Sequence, residues 1–284
     1  MKRLLTTFRY TIMSLRGQIL GWGLGIGLYG LMIVQMFETM AAQQGQLQEM
    51  IANYPKEFLA FFGGDANSIM TPAGFLHMYA FSMLPIIISV FSILVGSGMI
   101  VSDEERGRLD LIISHPVGRS AFFFGRFLGV VAGMFIIHFM GWIGFSLLLG
   151  KSSLGVNVGQ MLVPFISLFV QIFFYVALTL LLSLLLPSRN LAAIVSGVIV
   201  VSSYMISSLA FMNDMLMTIS KIMPYHYFQT VMDVNDLNLT WLFSLLGISL
   251  LMVVLAWFRF LRRDIRLSGE GSWKFRLFLK HKRS

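Results

Sequence analysis

Residues 75–101 read FLHMYAFSMLPIIISVFSILVGSGMIV, and residues 102–110 continue SDEERGRLD. The first run holds no Asp, Glu, Lys or Arg. It is longer than the ~20 residues a helix needs to cross ~30 Å of hydrocarbon. The second run is dense in charge, so the chain leaves the hydrocarbon there. Working outward, five more uncharged apolar stretches fit the same description: residues 17–37, 127–149, 161–186, 190–212 and 239–258. Threaded in order with the N-terminus inside, the inner segments 1–16, 102–126, 187–189 and 259–284 hold 4, 4, 1 and 9 Lys and Arg, 18 in all. The outer segments hold Lys56, Lys151 and Lys221 alone. An excess of basic residues on cytoplasmic loops sets orientation. The expected fold is therefore an all-α polytopic membrane protein with six transmembrane helices and both termini cytoplasmic.

Composition agrees. Of 284 residues 57% are hydrophobic and 12% charged, where a soluble domain carries about 25% charged. The whole chain reads as one transmembrane domain, with an outer loop at 38–74, an inner loop at 102–126 and a basic tail at 259–284. The net charge of +8 does not point to nucleic acid, because the basic residues flank apolar spans. The inner segments sum to +12 and the outer ones to −4, so anionic inner-leaflet lipid is the simplest partner for the inner face. Without cysteine there is no disulfide, thiolate site or Cys-ligated metal. The apolar core of the first span, at about 21 residues, exceeds the 7–15 of a cleaved signal peptide.

Several local patterns carry expectations. In residues 2–16, Leu5, Phe8, Ile12 and Leu15 share one stripe with Arg3, Arg9 and Arg16 off it, which predicts an amphipathic helix lying in the inner interface. Gly17, Gly21 and Gly25 in the first span, and Gly125, Gly129 and Gly133 at the third, are spaced to let helix backbones approach closely. They suit packing within one chain or a dimer interface. Leu47, Met50, Ile51, Tyr54 and Phe58 follow a helical stripe in the outer loop. Pro85 should bend the second span. The segment Ile222-Met-Pro-Tyr-His-Tyr-Phe228 is too apolar for a solvated loop and predicts short helices dipping into the outer leaflet.

Catalytic and metal chemistry find little support. The five histidines are scattered without metal-ligand spacing, so no catalytic or metal residue is assigned. Gly150-Lys151-Ser152 imitates the end of a phosphate-binding loop, which needs Gly where Phe145 stands. Leu267-Ser-Gly-Glu-Gly271 imitates an ATPase signature but sits in a short basic tail. The chain is expected to bind no cofactor itself. His138 lies well inside a span, where an ionisable residue is a functional candidate or, as a neutral imidazole, an interhelical hydrogen-bonding group. Gln171, Ser203 and Ser207 read the same way, as interhelical bonds or a polar lining.

The inner loop runs against the basic trend. Asp103, Glu104 and Glu105 lead into Gly107, then Leu109, Ile112 and Ile113 form an apolar stripe ended by Pro116, which predicts a short capped amphipathic helix. Acids there suggest a partner surface. In this segment the chain resembles the membrane subunit of ABC-2-type exporters. Glu105, Gly107, Leu109, Asp110, Leu111, Pro116 and Arg119 match that family's order of acid, Gly, apolar, acid, apolars, Pro and Arg. Arg108 stands where Thr is usual and Gly118 where Ser is common. Tyr54-Pro55, Phe62-Gly63, Thr71-Pro-Ala-Gly-Phe75 and Pro224-Tyr-His-Tyr-Phe228 are also similar, so the resemblance covers nearly the whole chain.

The resemblance implies a multi-pass permease of the plasma (inner) membrane of a bacterium. It would assemble as a dimer with a second copy or a similar permease, on two cytoplasmic ABC ATPase subunits that hold ATP and Mg. Coupling would fall on Glu104, Glu105, Gly107, Leu109, Asp110, Pro116 and Arg119, together with the N-terminal helix. The bare spans agree independently, because ion-driven transporters usually carry ionisable groups in the membrane. Poorly charged spans suit a hydrophobic or amphipathic substrate such as a drug, antibiotic, peptide or lipid. The alternative is a secondary transporter or channel that needs no ATPase.

Overall fold

A computed structural model describes residues 2–41, 53–61, 71–105, 107, 118–233 and 237–262. Ten α-helices, joined in places by single 3₁₀ or π turns, make up its ordered elements: α1 Lys2–Ala41, α2 Lys56–Phe61, α3 Pro72–Leu76, α4 Leu84–Gly98, α5 Val101–Glu105, α6 Arg119–Ser146, α7 Val158–Leu185, α8 Arg189–Ser208, α9 Asp214–Ser220 and α10 Leu239–Arg262. There is no strand among the described residues. Six stretches are long and apolar enough to cross a membrane, which makes this a multi-pass membrane protein. The end of the bundle carrying Arg3, Arg126, Arg189 and Arg262 is called the inner end below.

Local sequence explains where the helices start and stop. Asn157 and Gln160 form a capping box at the head of α7, each side chain taking the other's main-chain N–H at 2.8–2.9 Å. Ser188 caps α8 through the N–H of Leu191. Thr71 caps α3 with Pro72 behind it. These side chains supply acceptors to N–H groups that have no partner inside the helix. The second span is a broken rod. Between α3 and α4 lies a π-helical turn, His77–Phe81, then Ser82–Met83, and Pro85 sits in the first turn of α4. The bend predicted at Pro85 therefore begins a full turn earlier.

The N-terminal segment differs from its prediction. Residues 2–16 do not form a separate interfacial helix but run without interruption into the first span as one helix of 40 residues. No proline intervenes, and a lone Gly17 costs only about 1 kcal/mol of helix propensity. Its inner part lies along α6 through Leu4, Thr7 and Thr11, with Leu5 of the apolar stripe exposed and Ile12 and Leu15 packed against the core. A Cβ added at Gly125 would meet Thr7 Cβ at 2.7 Å and the Leu4 carbonyl at 3.0 Å. One at Gly129 would meet Thr11 Cβ at 2.7 Å, and one at Gly133 would meet Ile19 at 3.0 Å. Farther out, Gly144 lies against the backbone of Gly27, and Gly30 against the Phe145 ring. In lipid no hydrophobic force distinguishes a neighbouring helix from acyl chains, so close van der Waals packing across small residues holds such pairs together. Gly17, Gly21 and Gly25 have nothing within 4 Å. Within the chain the close approach on α1 falls on Gly23, Gly27 and Gly30 instead. At the outer end of α1, the Glu38 carboxylate accepts from Ser152 Oγ (2.9 Å) and the Ser153 N–H (2.6 Å) and holds the α6–α7 connection.

Helix α7 is the hub. Of its most apolar stretch 72% is buried, against 28% for α8 and for α10, and it touches α4, α6, α8 and α10. Phe81, Phe145 and Phe165 meet edge-on or tilted, with centroids 5.5–5.8 Å apart, where α6, α7 and the π turn converge.

Candidate functional site

Charged side chains gather at the inner end. Asp103 on α5 pairs with Arg126 on α6, and both side chains are about nine-tenths buried (11% and 12% exposed). The Arg126 guanidinium also lies over the rings of Tyr10 and Phe122, at 5.5 and 5.4 Å. One short helix is thereby bound both to the third span and to α1. The Glu105 carboxylate accepts the main-chain N–H of Arg189 at 3.2 Å, tying α5 to the α7–α8 hairpin. The Arg189 guanidinium donates to Ser97 Oγ and to the Leu94 carbonyl, at 3.5 and 3.3 Å. Arg119 donates to the Leu261 carbonyl at 3.0 Å, a cation at the C-terminal end of α10. Gly107 takes φ 64° and its N–H reaches the Glu104 carbonyl at 3.0 Å. A side chain would be strained in that left-handed turn, so Gly is required.

Of the predicted coupling residues, Glu104 is buried on α5, Glu105 is exposed, Gly107 makes this turn and Arg119 opens α6. Leu109, Asp110 and Pro116 lie outside the described residues, as does the expected amphipathic helix they belong to. Asp103, one of the three acids that suggest a partner surface, instead pairs inside the protein with Arg126, and neither Arg126 nor Arg189 stands out in the sequence. The signal was available only as three charges at the ends of three spans, and their pairing needs the fold.

A second cluster ties the outer segment to the spans. Gln171 donates to the Tyr175 hydroxyl at 2.8 Å, which lies near Ser203. Ser203 Oγ accepts the Tyr225 N–H at 2.9 Å. The Tyr225 hydroxyl donates to the Ser82 carbonyl at 2.8 Å, beside the π turn. Nearby, Ser167 Oγ accepts the Gln229 N–H at 2.8 Å, and Thr230 bonds to His77 Nδ1 at 3.1 Å. Residues 225–230 are thus fixed to the π-turn region of the second span, to α7 and to α8. His226 lies on this segment. Burial, helped by the nearby Lys221 charge, holds its pKa below the ordinary value, so it is neutral at pH 7.

The predicted polar residues do not converge. Gln171 and Ser203 belong to this one network. His138 donates through Nδ1–H to the Met134 carbonyl at 2.7 Å and sets its ring edge-on to Phe169. Its Nε2, like Ser207 Oγ and Gln171 Oε1, is buried without a partner among the described residues.

Two cavities accompany these features. One of about 240 Å³ opens at the inner end, between α1, α4, α5, α6 and Arg189. The other, about 200 Å³, is an apolar groove along α1 and α6. Among the described residues no three His, Cys, Asp or Glu gather to hold a metal. The arrangement offers a braced inner end and an outer segment pinned from within.

A search of curated proteins gives no match. A family model described as ABC-2 family transporter protein matches residues 8–265.

Proposed function

The chain belongs to the ABC-2 family of transporter proteins, and from that membership we infer that it is the permease subunit of an ATP-driven exporter. Membership makes it an ABC transporter permease that associates with an ABC ATPase. The finer reading is that two separate cytoplasmic ATPase subunits, holding ATP and Mg, drive a pair of permeases, either two copies of this chain or this chain with a similar one. The substrate is hydrophobic or amphipathic, in the class of drugs, antibiotics, peptides and lipids, and it leaves across the plasma membrane.

The observation that supports this reading is the absence of Asp, Glu, Lys and Arg from all six predicted spans. A transporter powered by ions needs coupling groups there. Here the charges sit at the inner end, where an ATPase would push. Glu105 and Asp110 are the residues whose loss should separate docking from insertion. Glu105→Ala and Asp110→Ala should insert at normal levels, since neither lies in a span, and should lose export or substrate-stimulated ATP hydrolysis. Loss of ATPase co-purification would assign the defect to docking, and loss of export alone to transmission. Normal export with normal stimulation in both variants would remove this segment from the coupling path. Failure of any ABC ATPase to co-purify with the wild-type chain would sink the reading.

A further inference from the structure

The inner cavity is lined by Tyr10, Ser14 and Gln18 of α1, Ser102 and Asp103 at the inner turn, Arg126 and Arg189, together with Leu15, Leu94, Val95, Met99 and Val130. Its lining mixes charged, polar and apolar side chains, which is the profile of a site at the boundary of headgroups and acyl chains. Two of its charged side chains are cationic and one is anionic, so it carries a formal surplus of one positive charge. Arg126 spends one edge on Asp103, and its buried Nε has no acceptor among the described residues. Arg189 uses Nε and Nη2 on Ser97 and Leu94. A buried donor without an acceptor, as Arg126 Nε is among the described residues, costs free energy, and arginine's planar fork matches the oxygens of a phosphate.

We propose that this cavity binds the phosphate of an inner-leaflet phospholipid. Arg189 and Arg126 Nε bind the phosphodiester oxygens, the amide of Gln18 donates to a glycerol ester, and the acyl chains leave over Leu15 and Val130. One phosphodiester charge balances the surplus. The apolar side chains in the lining favour a lipid over a soluble anion, and over an acidic side chain of a docked protein, neither of which would use them. The proposal rests on this end of the bundle lying at a membrane surface. It stands or falls apart from the transport reading.

Native mass spectrometry of the detergent-purified full chain, titrated with phosphatidylglycerol, tests it. The wild type should retain one lipid per chain through the highest activation energies. Arg189→Gln should bind that lipid about tenfold more weakly or worse, as expected for loss of a charged hydrogen bond. Arg189→Lys, which keeps the charge and loses the fork, should fall between them. Arg9→Gln removes the same charge from an exposed position on α1 and should bind as the wild type does. Thermal unfolding without added lipid checks that the variants are folded, and should Arg189→Gln fail there, the Arg189→Lys comparison decides. Equal retention by all four proteins overturns the site. Equal weakening by Arg9→Gln reduces it to general surface charge and overturns it too. Displacement of the lipid by an equal concentration of inorganic phosphate assigns the cavity to a free anion. Loss of ATPase co-purification in Arg189→Gln with unchanged lipid retention assigns it to the partner protein. Either of the last two overturns the lipid.

Discussion

Asp103→Asn, Arg126→Gln and the double variant should reveal how strongly the inner end is braced. Each side chain is about nine-tenths buried. Removing one partner of a buried ion pair costs about 3–5 kcal/mol, because the other charge stays buried alone. Asp103→Asn should fall at the lower end, at about 3 kcal/mol, since one-tenth of the guanidinium still reaches its surroundings. Arg126→Gln also loses the contacts over Tyr10 and Phe122, each worth about 0.5–1 kcal/mol, and should cost about 4 kcal/mol. The double variant leaves two neutral amides able to bond to each other, so it should cost little more than the worse single. The coupling is then about 2 kcal/mol or more. The assay is unfolding in mixed micelles of rising SDS fraction, followed by far-UV circular dichroism. Independent sites add within about 0.5 kcal/mol. Additivity within that margin would mean that the pair does not bind α5 to α6, and the account of the inner brace would fail.

Other variants probe the packing, the outer segment and the orientation. Gly144→Ala places a methyl on the backbone of Gly27 and should destabilise by about 1–3 kcal/mol. Gly21→Ala meets nothing within 4 Å and should be neutral or gain up to about 1 kcal/mol of helix propensity; the reverse order in the same unfolding assay would refute the α1–α6 contact. Ser203→Ala orphans the Tyr225 N–H, at a cost of about 1–3 kcal/mol. Amide hydrogen exchange at Tyr225 should then quicken, and unchanged exchange would show that the segment is held some other way. In a chain with no cysteine, Gly150→Cys should react with an impermeant thiol reagent on intact cells, and Ser114→Cys only after permeabilisation. The opposite pattern would invert the topology.

Much of this architecture could be read from the chain because charge is so expensive in hydrocarbon. The edges of the uncharged runs fall within a few residues of the ends of α7, α8 and α10, while α6 starts eight residues earlier, at Arg119. The inner hairpin at Pro187 to Arg189 and the bent second span were visible as proline and length. What stayed hidden depends on which apolar face meets which. Gly17, Gly21, Gly25 and Gly23, Gly27, Gly30 lie on one helix with almost the same spacing. Lipid and protein are equally apolar, so periodicity could not choose the set that faces α6. The N-terminal stripe could not show which face meets α6, for a related reason. Leu5 is 64% exposed, while Thr11 at 2% is buried against Gly129. Its hydroxyl is satisfied by the Thr7 carbonyl one turn back, so burial costs it little. The Asp103–Arg126 pair and the Tyr225 to Ser82 bond join residues 23 and 143 positions apart, beyond any local pattern.

The unbroken α1 changes how motion can pass through this protein. Forty residues of α-helix measure about 60 Å, twice the hydrocarbon thickness. Three grips hold this beam along its length: the Thr7 and Thr11 seats on α6, the Gly27 contact midway, and the Glu38 clamp on Ser152 and Ser153. It contains neither proline nor a π turn, so it has no joint at which a push could be absorbed. A tilt of about 5° about its middle carries each end through about 2.5 Å in opposite directions, from the 60 Å length. That is enough to break a hydrogen bond at the Glu38 clamp. The second span, with its π turn and Pro85, is the opposite kind of member and can flex. A stiff beam thus lies beside a jointed one, with the Gly27–Gly144 contact near the beam's middle.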